Sequence, residues 1–139
     1  MPAKVRAEME TQFAAGATDM VQMARRLAPR KSGDLQESIT WNWGFQARIK
    51  YSQGGGGKAA GKSGLLNIRY TAGNAKVRYA HIVEFGASPH VAGGIFKGAA
   101  HPGAPAQPYF FTAYRAKRRA FKNRSKRALK KGIIASKGA

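Results

Sequence analysis

The chain of 139 residues has no cysteine and carries 25 Lys and Arg against 6 Asp and Glu, a formal net charge of +19 at pH 7. Its length fits one domain spanning 1–139, the missing thiols exclude disulfides and thiolate metal sites, and no apolar run approaches the ~18 residues of a membrane span. Hydrophobic residues at 43%, with two Trp, five Tyr and seven Phe, suffice for a core, so a folded, soluble, untargeted protein is expected.

Between Ala3 and Leu27, the residues Val5, Met9, Phe13, Ala17, Met20, Ala24 and Leu27 recur every three or four positions, which predicts one long amphipathic helix. Pro2 and Pro29 bracket it, since a first helical turn tolerates proline and a later one does not. At its ~37 Å length such a helix must lie across the domain or reach a neighbour. Ala28 to Leu35 reads as a turn with Ser32 or Asp34 capping a short helical turn through Ser38. Every odd position from Ile39 to Tyr51 is then apolar, a period of two that predicts one long bent strand or two strands broken near Gly44.

Residues 52–64 are rich in Gly and Lys and are expected to form a flexible hairpin loop. Leu66, Ile68, Tyr70 and Ala72 alternate again, giving a return strand antiparallel to the first. After Gly73-Asn74, the spacing of Tyr79, Ile82 and Val83 suits a short helix closed by Gly86. Residues 87–108, rich in Gly and Pro, read as an irregular connection or extended arm. A last helix is predicted from Phe111 to Lys131, with Tyr114, Phe121 and Ala128 seven apart and Ala113 and Ala120 beside them; residues 132–139 are expected to fray. The fold class is therefore α+β: an antiparallel β-sheet formed by a long hairpin, packed by a long N-terminal helix, with a short middle helix and a basic C-terminal helix.

Chemistry-bearing patterns are sparse. Gly56 to Ser63 satisfies G-x-x-x-x-G-K-S, but a phosphate loop must open a helix, and the residues that follow alternate like a strand, so the likeness reads as chance. His81, His90 and His101 match no metal-ligand spacing. No nucleophile, base and orienting acid assemble, because Glu84 is the only acid beyond position 37; it reads as a structural ion-pair partner of a nearby Arg such as Arg78. No catalytic residue, cofactor or metal is expected.

The charge is unevenly placed. Residues 85–139 hold 12 Lys and Arg and no acid, which points to a polyanion or an acidic partner protein. The candidate contacts are Arg115, Lys117, Arg118, Arg119, Lys122, Arg124, Lys126, Arg127, Lys130 and Lys131. Sequence-specific base reading is not implied, as no DNA- or RNA-reading motif is present.

Three ordered segments resemble the tail-component or tail-completion proteins of lambda-like siphophages. Leu27-Ala28-Pro29 followed by Ser32-Gly33-Asp34-Leu35 and Ser38-Ile39 is similar to that family's first segment, and Tyr79-Ala80 with Val83-Glu84-Phe85-Gly86 to its second. Pro105 to Ala113, including Pro108 and Phe110, is similar to the segment leading into its last helix. Tyr109 stands where that family usually has Phe, and Thr112 where Pro is common.

The resemblance gives Pro29, Gly33, Leu35, Tyr79, Glu84, Gly86, Pro108 and Phe110 as motif residues. It implies a non-enzymatic structural subunit of the virion, assembled in the host bacterial cytoplasm into a homo-oligomeric ring, commonly a hexamer. That ring sits in the neck, joining head to tail between the portal or connector and the tail tube. Implied partners are the neighbouring neck and tail proteins and DNA passing through the lumen without sequence preference, with no membrane involved. The tier (tail completion, tail terminator or head closure) and the ring number stay open. A free-standing basic nucleic-acid-binding protein without catalytic activity is the alternative.

Overall fold

The computed structural model describes residues 2–44, 66–91, 93–94 and 97–138. Helix α1 spans Ala3–Leu27. The Pro2 carbonyl accepts the Arg6 N–H at 3.0 Å, and at the other end Ala28 turns extended, as the residue before a proline must. Its inward face comprises Val5, Gly16, Ala17, Met20, Val21 and Ala24, whereas Leu27, expected inside, is 42% exposed.

Helix α2 spans Asp34–Ser38, and its start corrects the capping expectation. Gly33, not Ser32 or Asp34, occupies the cap position with φ +88, while Ser32 Oγ accepts the Asp34 N–H at 3.4 Å and donates to the Asp34 carboxylate at 3.0 Å. Lys76 Nζ also donates to Asp34 at 3.1 Å; this bond, with the one from Ser32, holds the Asp34 carboxyl below its ordinary range. Arg25 donates from Nη2 to the Ile39 carbonyl at 2.8 Å, and Gln36 donates back to the Arg25 carbonyl at 2.9 Å, so α2 is tied onto the end of α1 by main-chain acceptors.

Strands β1 (Thr40–Trp43) and β2 (Ile68–Thr71) pair antiparallel, Thr40 opposite Thr71 and Trp43 opposite Ile68. The predicted continuation through residues 45–51, the predicted loop at 52–64 and the phosphate-loop-like pattern at 56–63 lie outside the described residues. Trp41 Nε1 donates to Thr18 Oγ1 at 3.2 Å, which seats the sheet on α1. Ser38, buried, donates to the Leu35 carbonyl at 2.6 Å and accepts the Gly73 N–H at 3.1 Å, so a buried hydroxyl that would otherwise be costly joins α2 to the chain leaving β2.

Helix α3 spans Ala80–Phe85, and the long helix α4 spans Phe110–Lys137. The connection between them contains more structure than its composition suggests. Ala87 bridges Ala104, and beyond that bridge β3 (His90–Val91) pairs antiparallel with β4 (Ala100–His101). The core joins Val21, Ala24, Ala28, Leu35, Ile39, Val77, Ala80, Tyr109 and Ala113, drawing on every helix.

Helix α4 is longer than expected and keeps Ala113, Phe121 and Ala128 of its predicted face inward. It remains helical to Lys137, where residues beyond 131 were expected to fray, and it packs through Ala113, Ala128 and Gly132 while Tyr114 is 39% exposed and Ala120 faces solvent. Small residues set this register because α1 and α4 approach closely. A Cβ at Gly132 would sit 2.8 Å from Val5 Cα, and one at Gly16 would sit 2.6 Å from the Phe121 ring. The Phe13 and Phe121 rings meet at 5.2 Å, and ion pairs Arg124–Asp19 (3.0 Å) and Lys131–Glu8 (3.1 Å) run along one side of the seam.

Candidate functional site

The start of α4 is fastened to α3 by one carboxylate. Glu84, 6% exposed, accepts the Tyr109 and Phe110 N–H groups on Oε2 at 2.8 and 2.9 Å and the Phe111 N–H on Oε1 at 3.1 Å. A helix leaves its first N–H groups without intrahelical acceptors, and its amino end carries a partial positive charge, so a carboxylate supplied from elsewhere in the chain answers both needs. The expected partner of Glu84 was a nearby Arg such as Arg78; what the structure shows at both its oxygens are main-chain amides, which the sequence did not suggest.

Neighbouring contacts reinforce this junction. The Tyr109 hydroxyl donates to the Ala80 carbonyl at 3.1 Å, Gln107 N–H donates to the Val83 carbonyl at 2.8 Å, and Tyr70 stacks on Phe110 at 4.0 Å while its hydroxyl donates to the Phe110 carbonyl. Burial, with the Glu84 charge adding to it, pushes both the Tyr70 and Tyr109 hydroxyls well above the ordinary tyrosine range. Gly86 turns the chain away at φ +74, and a Cβ there would lie 2.8 Å from Ala106 N, so both conformation and space demand glycine.

The motif residues thus divide by role. Gly33, Leu35, Glu84, Gly86 and Phe110 shape or fill the fold, Pro29 ends α1, Pro108 leads into the Glu84 junction, and Tyr79 stands half exposed at the start of α3.

The ten basic candidates on α4 also divide. Arg124 and Lys131 are drawn to Asp19 and Glu8 of α1, and Lys117 is half-buried. Arg124, Arg127 and Lys131 line, with Glu8, Gln12 and Ala128, a shallow groove of about 290 Å³ between the helices. At 100° per residue, Arg115, Arg119, Lys122, Lys126 and Lys130 fall on the side opposite the α1 contact; all are exposed and, with Arg118 alongside, they make a cationic ridge over four turns.

Two apolar clusters flank the ridge, and sequence reasoning missed both. At the amino end the Phe85 ring, 68% exposed, lies 5.9 Å from Phe111, with Ile82 and Tyr114 also partly exposed. Leu129, Ile133 and Ile134 are exposed near the carboxyl end. His90 and His101 stack across the β3–β4 pair at 4.8 Å, while His81 is exposed on α3. Among the described residues no cluster of three or more His, Cys, Asp or Glu could hold a metal, and no helix is long and apolar enough to cross a membrane.

A family model described as "Bacteriophage HK97-gp10, putative tail-component" matches residues 1–86. The match takes in α1, the Pro29 to Ile39 segment, the β1–β2 pair and α3, and it ends at Gly86, so Pro105 to Ala113 and α4 lie beyond it. No curated protein and no solved structure matches the chain significantly.

Proposed function

Because this chain belongs to the HK97-gp10-like family of bacteriophage tail components, we propose that it serves in the virion as a ring-forming subunit of the neck, joining head to tail between the connector and the tail tube. Its partners in this reading are copies of itself, commonly six, and the neck or tail proteins above and below. Two features support self-association. Among the described residues β1 and β2 pair only with each other, leaving an outer edge on each strand, and Leu129, Ile133 and Ile134 stand exposed on α4. Closed rings bury such edges and patches in heterologous contacts, which a soluble monomer leaves open.

The observation that carries the second half of the reading is the cationic ridge. α4 uses Arg124 and Lys131 to hold α1, yet points Arg115, Arg119, Lys122, Lys126 and Lys130 away from the body of the protein, where they contribute nothing to packing. Facing a lumen, such a ridge attracts phosphates without reading sequence, which suits a polymer that must pass and not lodge.

Native mass spectrometry and electron microscopy of the purified protein should show rings, or addition to tail ends when tails are supplied. A protein that stays a DNA-bound monomer or dimer in both settings is instead a free-standing nucleic-acid binder. Replacing the five ridge residues with Gln should abolish retention of duplex DNA at low salt and flatten the salt dependence by roughly 4 in log–log slope. Unchanged retention would remove the ridge from any role in DNA contact.

A further inference from the structure

The aromatic end of α4 is left unexplained by a ring and a phosphate-lined conduit. Phe85 is 68% exposed, Phe111 40% and Tyr114 39%, and the Phe85 and Phe111 rings stand 5.9 Å apart, tilted by 40°. Aromatic rings are among the costliest groups to leave in water, because each forfeits a large apolar area. The helical spacing then runs this platform directly into the cations. Phe111, Tyr114, Arg115, Arg118 and Lys122 stand at i, i+3, i+4, i+7 and i+11, so they share one side of α4 over about 16 Å.

Charge and shape together select the occupant. An acidic protein would match the cations, but nothing in its charge calls for adjoining flat rings. A DNA duplex would match the cations too, yet its base faces are stacked on one another and unavailable. An unpaired strand offers phosphates and free base faces side by side, which is the combination that sequence-tolerant single-strand sites use. The amino end of α4 cannot itself seat a phosphate, since Glu84 already occupies the N–H groups of Tyr109, Phe110 and Phe111, so the anion must be met by side chains.

We infer that Phe85, Phe111 and Tyr114, with the adjoining Arg115, Arg118 and Lys122, form a site for an unpaired nucleic-acid strand, its bases stacked on the rings and its phosphates on the cations. The inference rests on the reading that α4 faces DNA, and it adds that the amino end of the helix discriminates between strand and duplex.

The test uses the full chain and fluorescence anisotropy, with labelled oligothymidine of about 16 nucleotides and a blunt duplex of the same length at matched salt. The parent protein should bind the strand about tenfold more tightly than the duplex. Phe85→Ala should lose about tenfold in strand affinity with duplex affinity unchanged, and Phe85→Tyr should keep the parent behaviour. Phe85 lies mostly in solvent, so folding is not at stake in either variant.

Equal affinity for strand and duplex, with both lost in the five-residue Gln variant, overturns this inference and leaves the DNA-facing ridge standing. Binding to neither overturns both. Unchanged strand preference in Phe85→Ala also overturns it, and if that variant changes the oligomer mass instead, the platform is a protein contact.

Discussion

The two long helices lie against each other but are held by different forces. α1 is nearly charge-balanced, with Lys4, Arg6, Arg25 and Arg26 against Glu8, Glu10 and Asp19, and it buries Val5, Met20 and Val21 among its inward residues. Each such side chain gives roughly 1.5–3 kcal/mol on burial. α4 has eleven Lys and Arg and no acid, and it buries only Ala113, Ala128 and Gly132. Beyond the half-buried Phe110 and Phe121 rings, α4 is retained by close approach, ion pairs and the Glu84 carboxylate on its first turn. The contrast teaches that the outer face of α4 lies away from the contacts that hold the helix, which is why we propose that its charge serves a partner.

The strongest challenge to this contrast is Glu84→Ala, which strips three main-chain N–H groups of their acceptor. We expect a loss of about 3 kcal/mol or more in urea unfolding, with hydrogen-exchange protection lost first in the opening turn of α4. If stability falls by less than about 0.5 kcal/mol, contact with α1 alone retains α4 and the contrast collapses. Glu84→Gln, which keeps one acceptor oxygen, should cost about half as much.

Next in size is Gly132→Val. The new side chain must push against the Val5 backbone, so a loss of about 2 kcal/mol is expected, whereas Ala120→Val on the exposed face should cost only about 0.5 kcal/mol, in line with helix propensity. Thermal unfolding of the pair would show whether α4 is held by close approach or by area.

Alkaline titration examines the same junction. Tyr70 and Tyr109 have folded-state pKa values raised above the unfolded value of 10.0, so the stability tied to their neutral hydroxyls is fully present below pH 10 and drains as pH climbs beyond it. The melting temperature should fall above pH 10, and Tyr109→Phe should make that fall shallower even though it lowers stability at neutral pH. The smallest effect is expected at the helix flanks, where Asp19→Asn should cost about 0.5 kcal/mol because the Arg124–Asp19 pair is partly exposed.

What the sequence disclosed, and what it hid, follows the same division. α1 was legible because burial by Val5, Ala17, Met20 and Ala24 leaves a three-to-four periodicity, and β1–β2 because Trp41, Trp43, Ile68 and Tyr70 alternate. The inward face of α4 was legible in part, through Ala113, Phe121 and Ala128, but Gly132 carries no hydrophobic signal to extend it, and Tyr114 and Ala120 at its margins stand in solvent. The role of Glu84 was hidden for another reason: its partners are main-chain groups 25 to 27 positions later, and no residue type there advertises them. The ridge was visible only as a count of charges; which cations turn outward depended on where Gly16 and Gly132 let the helices meet.

The Glu84 junction has a bearing on how such a chain can be modified. A carboxylate that grips peptide N–H groups reads the main chain of the first turn, so at this junction side-chain identity enters through Tyr109 and Phe110 and not through the residues that follow. The outward positions of α4 can therefore change from basic to neutral without disturbing that anchor, whereas the face toward α1, with Phe121, Arg124, Lys131 and Gly132, must be kept.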